Sequence, residues 1–138
     1  MTWKKEAQQT LTAICKSDFV ESISRHGTTD LGYLAGHFPR FQGIARQWLS
    51  HWQGPARPEV LDVGGHWLHM AALLSDLGCQ VTACDLPHTF ELDSVQALAG
   101  AKNIGLITYT GSLPCQAGKR DRLAVTGRFA SCRKQSGR

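Results

Sequence analysis

The sequence predicts an α/β fold: a parallel sheet, incomplete at about three strands, behind a helical N-terminal extension. Three observations carry this. Residues 59–113 alternate short apolar runs with helix-spaced segments in the order strand, helix, strand, helix, strand. Parallel strands joined by crossover helices require that order. Residues 1–58 show apolar positions at steps of three and four, the period of a helix face. After residue 113 both patterns stop.

The elements follow in turn. Trp3, Ala7, Leu11 and Ile14 mark a first helix, and Phe19, Val20 and Ile23 either continue it or begin a second. Gly27, Thr28, Thr29 and Asp30 form a polar break. Pro39 suits a first helical turn, where its missing N–H costs nothing. From there Phe41, Ile44, Ala45, Trp48, Leu49 and Trp52 form one stripe, which Gly54-Pro55 ends. Core packing is the expected role of both tryptophans. Val60 to Val63 is a short apolar strand. Leu68 to Leu77 is a helix with Met70, Leu73, Leu74 and Leu77 apolar, closed by Gly78. Gln80 to Cys84 is a second strand. Phe90 to Ala101 is a second helix, with Leu92, Val95, Leu98 and Ala99 inward. Ile104 to Tyr109 is a third strand. Continuous apolar strands of this kind suit a sheet covered on both faces.

Composition bounds the rest. At 138 residues and 42% hydrophobic, the chain has material for one modest core. No run approaches the roughly 20 apolar residues of a membrane span. The N-terminus lacks the apolar stretch of a secretory signal, so a cytoplasmic protein is expected. Five cysteines without a CxxC pair argue against a disulfide framework or a zinc site. His66 and His69 have no partner ligands at matching spacing, so no metal is expected. His26, His37, His51 and His88 are scattered and read as surface or satisfied polar groups. The charge divides unevenly. Residues 1–114 hold eight Lys/Arg and ten Asp/Glu, a balance of −2, whereas residues 115–138 hold seven and one, a balance of +6. The segment 114–138 therefore reads as a basic, disordered tail.

The chemistry-bearing stretch runs Val60-Leu61-Asp62-Val63-Gly64-Gly65-His66-Trp67-Leu68. An apolar strand ends in an acid, two glycines follow, and a helix begins. Glycine permits a sharp turn and close approach of a ligand to bare backbone. The helix start offers unpaired N–H groups. Asp85 ends the second strand, 23 residues after Asp62. An acid about 20 residues on suits ribose hydroxyls, since a carboxylate accepts both hydroxyl hydrogens. Leu86 beside it offers a surface for an adenine ring. The dinucleotide fingerprint G-x-G-x-x-G is absent, and no diphosphate cradle is evident.

The Val60-Leu61-Asp62-Val63-Gly64 segment, with Asp85 following, resembles the first motifs of class I S-adenosylmethionine-dependent methyltransferases. The likeness covers residues 59–113, the N-terminal half of that family's Rossmann-like domain. It implies S-adenosylmethionine as cofactor, held by Asp62, Gly64, Gly65, His66, Asp85 and Leu86, and methyl transfer to an acceptor the sequence does not name. The chain departs from the pattern at three places. His66 and Leu68 stand where the family usually has glycine, and Thr110-Gly111-Ser112 stands where it often has an acid that reads the adenine amino group.

The resemblance also implies further strands that this chain does not show after Leu113. The sequence is accordingly expected to be a truncated domain, with its own activity open and with a tendency to self-associate through uncovered apolar surface. Two other functions stay in view. One is an oxidoreductase fragment using NAD(P) or another nucleotide. The other is a non-enzymatic module whose basic tail contacts nucleic acid through phosphates. No membrane partner is expected.

Overall fold

The computed structural model describes residues 2–27, 30–54 and 56–110, and beyond them the backbone of a strand at 123–126. Thr28, Thr29, Pro55, Ser112 and the rest of the 114–138 segment, on which expectations were placed above, lie outside the described residues.

The N-terminal extension is helical. Helix α1 (Trp3–Ala13) buries Ala7 and Leu11, and α2 (Lys16–Ser24) buries Phe19 and Ile23. Phe19 to Ile23 thus belong to a second helix. The break falls at Ile14 and Cys15, both in extended backbone. Trp3 fastens this unit to the rest of the chain, its Nε1–H donating to the Leu77 carbonyl at 3.0 Å. Lys4 Nζ donates to the carbonyls of Ser50 and Trp52.

Helix α3 (Leu31–His51) differs from the sequence expectation at its start. It begins at Leu31, and Pro39 lies within it. Asp30 caps the first turn, its carboxylate accepting from the Tyr33 N–H at 3.2 Å. Leu34 and Phe38 then extend the buried stripe that continues through Phe41, Ala45 and Leu49. Burying two such side chains is worth about 1.5–3 kcal/mol each. Together they exceed the ~3 kcal/mol that an interior proline costs. Ile44, expected on the core stripe, is exposed because it stands on the neighbouring face. Trp48 and Trp52 are half-buried, with ring centroids 5.8 Å apart.

The sheet is parallel throughout, in the order β3-β2-β1-β4. Its first three strands are β1 (Glu59–Val63), β2 (Gln80–Asp85) and β3 (Gly105–Thr108). Asp62 pairs with Ala83, and Ala83 with Leu106. To the three expected strands the structure adds β4 (Leu123–Thr126), which lies inside the segment read as a tail. It pairs with β1 on the side away from β2, from Glu59↔Leu123 to Asp62↔Thr126.

The connections from β1 to β2 and from β2 to β3 are helical. Helix α4 (His69–Asp76) links β1 to β2. The short helix α5 (Pro87–Phe90) and then α6 (Asp93–Lys102) link β2 to β3. The expected second helix is therefore two pieces. Leu92, expected inward, is 44% exposed because it caps α6 from extended backbone. Val95, Leu98 and Ala99 are buried as the periodicity requires. An ion pair of 2.7 Å between Lys102 and Asp76 joins α6 to α4. The Ser75 hydroxyl also donates to the Lys102 carbonyl.

Val60, Val81 and Ala83 pack into the core with the helices. Side chains alternate across a strand, so Leu61, Thr82 and Ile107 face the other way, and each is half-exposed. No described helix is long and apolar enough to cross a membrane.

Candidate functional site

Beyond Val63 the chain reverses over the carboxyl ends of β1 and β2. The N–H groups of Gly64 and Gly65 both donate to the Cys84 carbonyl, at 2.8 and 3.2 Å, and so seat the turn on the end of β2. Gly64 has φ +72, a left-handed conformation, and a Cβ there would meet nothing within 4 Å. Gly65 is different. A Cβ on it would fall 3.0 Å from Ala83 Cβ and 3.4 Å from Asp62 Oδ2. Glycine suits the first position through its conformation and the second through its lack of a side chain.

His66 and Leu68 also adopt left-handed φ values, +47 and +68. These are the two positions read above as departures from a glycine-bearing turn. The backbone follows a glycine-rich path with a histidine and a leucine in it, at roughly 1–2 kcal/mol per residue. At Leu68 complete burial offsets that cost.

Both acids attend this turn. Asp62 is 4% exposed and lies beneath Gly65. Asp85 Oδ2 accepts the His66 N–H at 2.7 Å, and Oδ1 accepts the Leu86 N–H at 2.7 Å. The Tyr109 N–H donates to the Asp85 carbonyl at 3.2 Å, bringing the end of β3 alongside. The turn therefore sits over the carboxyl ends of β1 and β2, and β1 borders the point, between β1 and β4, where the strand order changes direction. Open parallel sheets receive ligands at such a point.

A cavity of about 750 Å³ opens beside the turn. Asp62, Gly64, Gly65 and His66 line it. Asp85 and Leu86 do not: Asp85 grips the turn from the β2 side, and Leu86 next to it is 40% exposed. Four of the six residues picked out from sequence thus share the cavity, and the other two flank the same turn outside it.

The opposite wall is α3, which sequence reasoning missed. Tyr33, Arg40, Ile44, Gln47 and His51 line the cavity. They follow one another at steps of seven, four, three and four, a second stripe beside the buried one. That spacing was the available signal, but no motif ties α3 to a turn that follows it in the chain. Trp67, His69 and Tyr109 complete the enclosure. The Tyr33 ring lies 4.1 Å from His37 and 6.0 Å from His69, centroid to centroid. Phe41 meets His69 edge-on at 6.2 Å.

The two buried thiols among the described residues, Cys84 at the carboxyl end of β2 and Cys79 before its amino end, are held in their neutral form. Burial pushes Cys84 up, and the adjacent Asp85 charge adds to this. Burial pushes Cys79 up to about 12, with the Arg57 charge opposing. Neither supplies a thiolate nucleophile near neutral pH. Among the described residues no three His, Cys, Asp or Glu side chains cluster to hold a metal ion. No family model, curated protein or solved structure matches the chain.

Proposed function

We propose that the chain binds S-adenosylmethionine at the Gly64–His66 turn and is a methyltransferase by ancestry. The observation that carries this reading is the 2.7 Å bond from the His66 N–H to Asp85 Oδ2. It joins the glycine turn and the acid of the second strand into one unit over the carboxyl ends of β1 and β2.

The residues fit the ligand. A carboxylate offers about four acceptor positions, and the two backbone bonds to Asp85 use one on each oxygen. The remainder suit a pair of ribose hydroxyls. Gly64 leaves open space above bare backbone, as the methionyl part of the ligand needs. The cavity volume lies within the range of small-molecule sites, about 300–1,000 Å³. When bound, the donor supplies an electrophilic methyl on a sulfonium. The part left to this chain is alignment and exclusion of water, which the facing walls of α3 and the turn perform.

Titration calorimetry with S-adenosylmethionine and its demethylated product tests the reading. Binding of both, lost in Asp85→Ala, is expected. Absence of binding, indifference to Asp85→Ala, or preference for a nicotinamide dinucleotide overturns it.

A further inference from the structure

The α3 wall of the cavity has a chemistry that the donor does not use. Tyr33 and Ile44 are 39% and 38% exposed, two of the four large apolar side chains most open to solvent among the described residues, and both face this space. Trp48, Trp67 and Tyr109 add aromatic surface around it. Arg40 sits among them, exposed, and makes no ion pair among the described residues. Among the described lining residues Asp62 is the one acid, and it is buried under Gly65. Among the described residues this lining joins aromatic surface to the Arg40 guanidinium and carries no exposed carboxylate, a combination that recognises a flat ring bearing a negative charge. The ring faces supply stacking area, and the guanidinium takes a carboxylate in a two-pronged bond.

We infer that this wall is the acceptor pocket and that the acceptor is a small aromatic carboxylate. The inference rests on the methyltransferase reading for the word acceptor, while the binding preference stands on the cavity alone. The pocket is built on the outer stripe of α3, whose buried stripe is anchored in the core. Its shape is therefore largely set before a ligand arrives.

The test uses the full chain and reads the heat of binding by titration calorimetry. The probes are 4-hydroxybenzoate and indole-3-acetate, with neutral indole and aliphatic hexanoate as comparisons. Both aromatic carboxylates are expected to bind at least tenfold more tightly than either comparison. Arg40→Gln is expected to weaken them about tenfold and indole less than twofold, the difference between a charge-assisted and a neutral contact. Arg46→Gln, on the same helix but outside the lining, is expected to change neither. Should Arg40→Gln fold poorly, salt gives the same information, because a partly exposed ion pair weakens with ionic strength.

Equal binding of indole and indole-3-acetate, or binding unaffected by both Arg40→Gln and salt, overturns the inference. Donor titration on the same preparation separates the two claims. Donor binding without preference for aromatic carboxylates sinks this inference alone. The preference without donor binding sinks the methyltransferase reading and leaves the pocket's ligand class standing.

Discussion

The carboxylate of Asp85 accepts one backbone N–H on each oxygen, from His66 across the turn and from Leu86 beside it, both at 2.7 Å. An asparagine has one accepting oxygen and must turn its NH₂ toward the other N–H. Asp85→Asn is therefore expected to cost about 0.5–1.5 kcal/mol, the net worth of one hydrogen bond whose exposed donor can turn to water instead. Urea unfolding followed by circular dichroism measures it. An unchanged midpoint would show that the turn does not depend on this clasp.

Gly65 approaches β2 so closely that a methyl group there collides with Ala83. Gly65→Ala is expected to destabilise by about 1–3 kcal/mol through overpacking. Ala83→Gly in the same chain should return part of that loss, because it removes the atom struck. Gly64→Ala has no such rescue, since its cost is conformational. A double-mutant cycle on thermal midpoints distinguishes the two cases.

Pro39 lies inside α3 with its side chain exposed. Pro39→Ala restores a backbone donor at little loss of packing. It should stabilise the protein by about 1–2 kcal/mol, less than the full interior-proline penalty because alanine also frees the unfolded chain. A raised melting temperature is the expected readout, and a lowered one would mean that the ring itself supports the helix.

Cys79 is neutral in the folded state up to about pH 12, against an ordinary value of 9.0. A group whose folded pKa is raised contributes stability fully below its unfolded pKa and loses it as pH climbs toward the folded one. The stability of this protein should therefore decline between pH 9 and 12. Cys79→Ser would flatten that decline, although it lowers stability at neutral pH by burying a hydroxyl. At pH 8, iodoacetamide should label exposed Cys15 and spare Cys79 and Cys84.

How much was legible follows from the range of the forces involved. The strands at 59–63 and 80–85 and the helix between them are set by local apolar runs and by glycine, and all stand where the periodicity placed them. The start of α3 was hidden by Pro39, whose local preference lost to the burial of Leu34 and Phe38. The gap between α1 and α2 carries no glycine or proline, so nothing local announced it. Strand β4 is four residues long within a basic segment, and its partner is β1, more than sixty positions earlier. Of the site, the turn and its two acids could be found because they form a compact motif. The Tyr33–His51 wall could not, because only tertiary packing brings that helix over the turn.

Helix α3 presents two adjacent stripes with separate duties. Leu34, Phe38, Ala45 and Leu49 look inward, whereas Tyr33, Arg40, Ile44, Gln47 and His51 look onto the cavity. Changing a residue of the second set leaves the first in place. A protein arranged in this way can exchange the molecule it accepts through a few substitutions on one rod, with the scaffold that carries them left untouched.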